Sequence, residues 1–541
     1  MSTRYEVEET LDNATIDPAL TWTTGNVAEA FPGVFTTLGF TFIHEPMELA
    51  FRKMFVSLGV FSPKEIYVPD RVEDMFWTLF AGRAAANIDK FRTIANVTPG
   101  TSATAVEQQL FGYVRPETID ANTTRRYPVI LAKAPQAVVR LPKQHDAEFA
   151  ELRRWRLEQL ETIGYLDHAG CAALLDDARS RFESIMIKHL VVAFVSSGLA
   201  DRLAAKLAEL GLPGLEAKLL SGVGSDENEV AHDLWALAHD EITLREFSDR
   251  HGYHGTNEGQ LSGVSWREDP TPVLARRTDY RAIAADSPRA PRNRSAEQEQ
   301  TRLRALAELE SSVPQRKRVG LGLVVRLAAR WLALREQGKA GYLLTFDVAR
   351  AAMRRHGALL VAQNVIDQVD DVFHLSYDEL QRGASDDRHA DVERRRAEYD
   401  ERTSYRLPQA WTGLPTLAKA GESSAPSVDG VVTGVAASGG IVEGRARVVR
   451  DPSTTELDDG DILVCETTDP SWVSLFLVAG GVVTDHGGML SHGPIVAREL
   501  GIPCVCGTEN GSYRIVDGQR IRLDGNTGTV TVLSTNPNRS V

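Results

Sequence analysis

Near the C-terminal end of this 541-residue chain, His492 stands in a setting suited to covalent chemistry. It follows an apolar, β-branched stretch at residues 480–484 and the glycine pair Gly487-Gly488. After it, Pro494 suits the first turn of a helix, Gly501 the C′ position, and Pro503 lies just beyond. The spacing predicts strand, tight turn, histidine, helix. The glycines let the backbone turn sharply and approach another molecule closely. A helix start offers unpaired N–H groups and a positive dipole end, both favourable to an anion. Imidazole is nucleophilic near neutral pH, and the phosphoramidate it forms passes its phosphoryl group on readily. His492 is therefore a candidate phosphoryl carrier. On spacing alone, a polar surface histidine in a turn is the commoner case.

Gly487, Gly488, Ser491 and Gly493 would frame a phosphoryl group on His492. Ser491 either orients the imidazole or caps the helix. Arg498, one turn past Pro494, either neutralises phosphate charge or braces the domain through an ion pair. His486 is the nearest rival nucleophile. A second constellation lies on the glycine-rich stretch 251–270, which carries His251, His254 and Glu258. Two histidines and a carboxylate could do acid–base work or bind a metal, or be incidental polar groups of a surface loop.

A chain of this length exceeds one ordinary core, so two or three domains are expected. No apolar run reads as long enough to span a bilayer, and the N-terminal residues are polar rather than signal-like. The expectation is a cytoplasmic protein without membrane partners. A net charge of −14 argues against a general nucleic-acid binder. Cys171 and Cys465 stand alone, and Cys504 and Cys506 share one strand face, too far apart for a relaxed bridge. Reduced thiols and no zinc site are expected.

Residues 1–20 read as a loose lead-in. Helical periodicity dominates from residue 39 to 279, with clear runs at 150–160, 172–199, 203–210 and 230–237. Residues 287–300, rich in Pro, Arg and Ser, read as a linker or surface loop. Helical period returns at 301–309 and 319–335, and the charged run 386–402 reads as a solvated helix. Residues 407–427 carry Pro, Gly and Ser without period and read as a hinge. From 431 to 533 short strands alternate with short helices.

The run Gly487-Gly488-x-x-Ser491-His492-Gly493-x-Ile495-x-Ala497-Arg498-Glu499-Leu500-Gly501-Ile502-Pro503 resembles the phosphohistidine signature of PEP-utilising enzymes. It lies in their mobile, swivelling domain. The group includes PEP synthase, pyruvate phosphate dikinase and the rifampin phosphotransferases. The likeness extends through Ser438-Gly439-Gly440, Gly444-Arg445-Ala446 and Thr467-Thr468-Asp469-Pro470-Ser471-Trp472, and on to Gly528-Thr529-Val530. Upstream, Trp22 to Gly33, Gly82-Arg83 with Asn87, and residues 336–342 and 369–380 resemble the central domain of rifampin-phosphotransferase-like proteins.

The resemblance implies a multidomain fold, α plus α/β. A mainly helical acceptor domain at 1–410 and a hinge at 411–430 precede a β/α/β swivelling domain at 431–536. It implies that His492 is phosphorylated and carries the group between distant sites to a hydroxyl of a small, partly apolar acceptor. In such relatives an ATP-grasp domain precedes the central domain, and the twenty residues before Trp22 leave no room for one. The expectation is a separate ATP-grasp partner bringing ATP and Mg, in an ATP to AMP plus phosphate reaction. This chain alone is expected to bind no cofactor and no metal. The alternative is a catalytic relic that binds a small molecule or regulates a related enzyme. Residues after 533 are too few for a PEP-binding barrel, which needs roughly 250.

The loop 251–270 resembles one usually written Gly-His-Arg-Gly-x-x-Glu. Aligned on Glu258 and Trp266, its His falls on Tyr253 and its Arg on His254, which implies a different acceptor. His254 and Glu258 are expected to face the swung-in His492 as the acceptor's base. Arg83 and Asn87 are candidate pocket residues, as are the aromatics Trp22, Phe31, Phe35 and Phe40.

Overall fold

The computed structural model describes residues 16–25, 27–99, 101–111, 118–224, 226–287, 290–383, 386–419, 430–450, 455, 457–458, 460–468, 472–487, 492–508 and 510–533. Its two parts are a large helical body and a C-terminal mixed sheet, the architecture that the sequence implied.

In the body, β1 (Thr21–Thr23) leads to α1 (Thr37–Ser57), then to β2 (Trp77–Phe80) and β3 (Arg83–Asn87). The long helices α2 (Tyr127–Thr162) and α3 (His168–Glu209) follow, then α4 (Leu244–His251), α5 (Pro291–Ser312), α6 (Gln315–Ala362) and α7 (His389–Thr403). Helix α6 is the axis. Every residue from Ala340 to Met353 is buried, because neighbours cover it on all sides and no polar stripe is needed. Helices α2 and α3 are antiparallel neighbours that pack on α6, and α1 packs on α3. Charged residues inside this region are paired. Asp347, fully buried, binds Arg156 at 2.7 Å and Arg267 at 2.9 Å. Burial pushes the Asp347 carboxyl up, but the charges of Arg156 and Arg267 outweigh it and hold it at about 2.

Three sequence expectations change here. Residues 291–300 are not a linker but the start of α5, because Pro291 occupies its first turn, where proline is pre-organised for helix. Helix α3 is long and apolar enough by composition to cross a membrane, with a window of mean hydropathy 1.4. Its apolar residues serve three cores, two shared with α1, α2 and α6 and one with α5 and α6. β4 (Tyr405–Arg406) precedes the expected hinge, and strands β5 (Ala410–Thr412) and β6 (Ala418–Lys419) occupy its first part. Strand β5 pairs with β1, setting Trp411 opposite Trp22, in a sheet of order β2-β3-β1-β5, and β4 pairs with β6. Residues 420–429 lie outside the described residues.

The C-terminal sheet is built from β7 (Val431–Thr433), β8 (Val435–Ser438), β9 (Ile441–Val448), β10 (Ile462–Cys465), β11 (Gly481–Thr484), β12 (Cys504–Cys506), β13 (Arg520–Asp524) and β14 (Thr529–Val532). Their order is β8-β12-β11-β10-β9-β13-β14-β7. The run β9-β10-β11-β12 is parallel and the flanks are antiparallel. Helices α8 (Val473–Val478) and α9 (His492–Leu500) cover one face. Alternation splits each central strand between two cores. Leu463, Cys465 and Val482 meet the helices, while Ile462, Val464 and Val483 meet Ile521, Leu523 and Val530. Buried on both faces, β10 and β11 are continuous apolar runs, as parallel strands must be. The four cysteines are buried and form no disulfide.

Candidate functional site

His492 is the first residue of α9, as its caps required, and Gly501 follows the helix with φ +68°. The helix begins just beyond the C-terminal end of β11. In an open parallel sheet that edge is where ligands bind. Gly487 takes φ +113°, open to glycine, at the turn. Gly488 and Ser491 lie outside the described residues. Gly493 is buried, and a Cβ there would come within 2.9 Å of Thr468 Oγ1, so a side chain would push α9 away from the strand edge. Arg498 donates from Nε to the Pro494 carbonyl at 3.1 Å, which turns its head along its own helix.

Asp485 anchors the turn, a role that the sequence reading did not assign. Its buried carboxylate accepts the Ser512 amide at 2.9 Å, the Thr508 hydroxyl at 2.8 Å and the Ser512 hydroxyl. Burial nonetheless pushes its carboxyl upward. The only signal in the sequence was a lone acid between a buried strand and the glycine pair. His486 is paired rather than free for nucleophilic work: its Nε2 lies 3.5 Å from Glu466, the residue just after β10. Burial raises the Glu466 carboxyl, but His486 and the charges of Arg406 and Arg83 overcome it and hold it at about 2.

The loop 251–268 sits against α6 in the body. Gly255–Thr256 pairs with Val264–Ser265 in a small hairpin. Gly259 presses on the chain at Ala30, where a Cβ would collide with the carbonyl. Gln260 donates to the Pro32 carbonyl at 2.7 Å. From α6, the buried Arg350 donates to the carbonyls of Gln260 and Leu261, and Arg354 to those of Ser262 and Gly263. The loop is thus held by main-chain bonds from two arginines one helical turn apart.

His254 and Glu258 are brought together: Nδ1 to Oε2 is 2.8 Å, with both side chains at most 5% exposed. Lys339 completes the group from α6, its Nζ 3.1 Å from Glu258 Oε1 and its side chain 27% exposed. Burial drives the Glu258 carboxyl up, but Lys339 and then His254 outweigh it and hold it at about 2. Glu258 is therefore ionised at neutral pH and a weak base. His251 goes elsewhere, bonding Asp233 at 2.8 Å, so the two histidines stack with separate carboxylates and do not converge as metal ligands. Tyr253 is core, against His254 and beneath Arg156. Lys339 was missed as a site residue because only the fold sets it beside Glu258.

The proposed pocket aromatics divide. Phe31, Phe35 and Phe40 pack with Trp77 as closed core, and Phe31 also meets Tyr342 of α6. Trp22 belongs to a separate cluster with Phe80 and Trp411. Asn87 is a helix cap, its Oδ1 accepting the Lys90 amide and its Nδ2 bonding the Glu73 carbonyl. Arg83, at the start of β3, donates to the Arg402 carbonyl at 3.1 Å.

Residues 457–528 match the family model "PEP-utilising enzyme, mobile domain", and residues 241–336 match "Rifampicin phosphotransferase fourth domain". The resemblance read from the motifs is borne out by both matches. Rifampicin phosphotransferase of Bacillus cereus is 29% identical over 307 residues, 53% of this chain and 34% of that protein. That of Streptomyces sviceus is 33% identical over 313 residues, 54% of this chain and 34% of that protein. A protein of Bacillus subtilis named uncharacterized phosphotransferase YvkC is 36% identical over 200 residues, 34% of this chain and 24% of its own. The chain spans about a third of the length of the curated rifampicin phosphotransferases it matches.

Proposed function

We propose that this chain is a phosphotransferase component that works through a phosphohistidine at His492. The observation that carries the reading is His492 at the start of α9, at the C-terminal edge of the parallel strands, inside the segment that matches the mobile domain. An ATP-grasp-type partner, holding ATP with Mg, would pass the β-phosphoryl group to His492 and the γ-phosphoryl group to water, which leaves AMP and phosphate. The acceptor is a hydroxyl of a small, partly apolar molecule bound at the helical body. Its oxygen attacks phosphorus, the bond from phosphorus to the imidazole nitrogen breaks, and the electron pair returns to His492.

The acceptor proton goes to His254. Glu258 binds Nδ1, which fixes the ring and its tautomer, so Nε2 is the nitrogen to which this reading assigns the acceptor proton. Lys339 keeps Glu258 ionised so that it stabilises the imidazolium that forms. Glu258 is thus a positioning residue rather than the base. The test is to incubate the full chain with candidate ATP-grasp partners and ATP labelled at the β-phosphate. Acid-labile label is expected on the wild type and absent from His492→Ala. Label that survives in His492→Ala, or no label with any partner, overturns the reading.

A further inference from the structure

The C-terminal domain meets the helical body at the edge that carries the glycine turn. Glu466, just after β10, points toward Arg406 of β4, with a closest approach of 3.9 Å. The Arg406 guanidinium also covers the ring of Tyr513, whose hydroxyl lies 3.4 Å from Glu466. Arg450 approaches the other side of the same hydroxyl at 3.5 Å. Arg83 is tied to the end of α7 through the Arg402 carbonyl, and its charge acts on Glu466. Burial lowers the pKa of both Arg83 and Arg406, with Glu466 pulling each back up. Glu466 is about half exposed, at 47%, so the contact is a loose one at a rim and not a locked buried pair.

Two features make this more than a surface ion pair. Glu466 and the His486-Gly487 turn follow adjacent parallel strands, so the carboxylate sits at the same C-terminal strand edge as the turn that precedes α9. The two arginines come from the body, Arg83 at the start of β3 and Arg406 on β4. A phosphoryl group brings up to two negative charges and three acceptor oxygens, a better match to two guanidiniums than one carboxylate. In-line transfer also needs cations that neutralise the equatorial oxygens.

We infer that Arg406, with Arg83 beside it on the Arg402 carbonyl, forms the body's seat for the phosphoryl group of the swivelling domain, and that the Glu466 carboxylate occupies Arg406 until that group displaces it. This rests on the phosphohistidine reading of His492. The arginines then bind the phosphoryl oxygens on the acceptor side, and Glu466 is a built-in competitor that releases when the carrier is charged.

The probe is inorganic phosphate, titrated against the full chain by calorimetry. Glu466→Gln is expected to bind phosphate at least 10-fold more tightly than the wild type. Adding Arg406→Gln or Arg83→Gln should remove the gain, and Arg406→Lys or Arg83→Lys should keep part of it. Thermal midpoints identify any variant that has lost the fold, and the lysine variants stand in for it. No gain in Glu466→Gln, or a gain indifferent to both arginines, overturns the inference. A separate assay treats the wild type with phosphoramidate, which gives its phosphoryl group to imidazole and releases ammonia. Failure to label His492 there, with the phosphate gain intact, sinks the phosphohistidine reading and leaves an anion seat. Labelling without the gain does the reverse.

Discussion

Lys339→Met removes one of two partners of a carboxylate that the fold has taken out of water. Glu258 is 4% exposed and is held at about 2, against an ordinary value of 4.5. A group with a depressed folded pKa adds stability above its unfolded pKa and loses it as pH falls through the folded value. The full shift corresponds to roughly 3 kcal/mol at about 1.4 kcal/mol per unit. About 2 kcal/mol of it disappears between about pH 5 and about pH 3. Breaking a buried pair costs about 3–5 kcal/mol. Lys339 is 27% exposed, and His254 still binds Glu258, so about 1–3 kcal/mol is expected here. Glu258→Gln should cost less, because the freed ammonium can reach water.

The assay is urea unfolding of the wild type, Lys339→Met and Glu258→Gln at several pH values. The difference between wild type and Glu258→Gln should shrink by about 2 kcal/mol from about pH 5 to about pH 3. Lys339→Met should flatten that dependence. If Lys339→Met lies within about 0.5 kcal/mol of the wild type and keeps the same acid limb, Lys339 does not hold Glu258 ionised.

His254→Ala should leave acid-labile label on His492 intact and slow onward transfer to acceptor by about 10²–10⁴-fold, measured by single-turnover chase. Loss of the first step instead would place the loop on the donor side. Asp485→Ala should destabilise the C-terminal domain by about 2–4 kcal/mol in denaturant unfolding, because three donors lose their acceptor. A change below about 0.5 kcal/mol would mean that the turn does not depend on Asp485.

Local chemistry was readable wherever the determinants lie within one or two helical turns. Pro494 and Gly501 bracket α9 whatever it packs against. The periodic apolar residues of α2, α3 and α6 mark helices because one stripe must meet a core. The misreadings share a cause. The Pro, Arg and Ser of residues 291–295 suit a loop and a helix start equally, and what decides is whether Gln298, Ala305 and Leu309 find a buried face, which α5 provides. Residues 410–412 look like linker until β1, far back in the chain, offers a pairing partner.

By itself the sequence determined which residues can carry chemistry: an imidazole at a helix start after a glycine turn, and a His–Glu pair on a glycine-rich loop. Those are matters of residue type and short spacing. Only the tertiary structure decided their states. Glu258 stays ionised because α6 delivers Lys339 to it, and the loop keeps its shape because Arg350 and Arg354 of the same helix bind its carbonyls. Glu466 meets Arg406 because the sheet edge of one domain rests against the rim of the other. Electrostatic strength depends on distance through space and on how much water has been excluded, and neither quantity is a function of spacing along the chain.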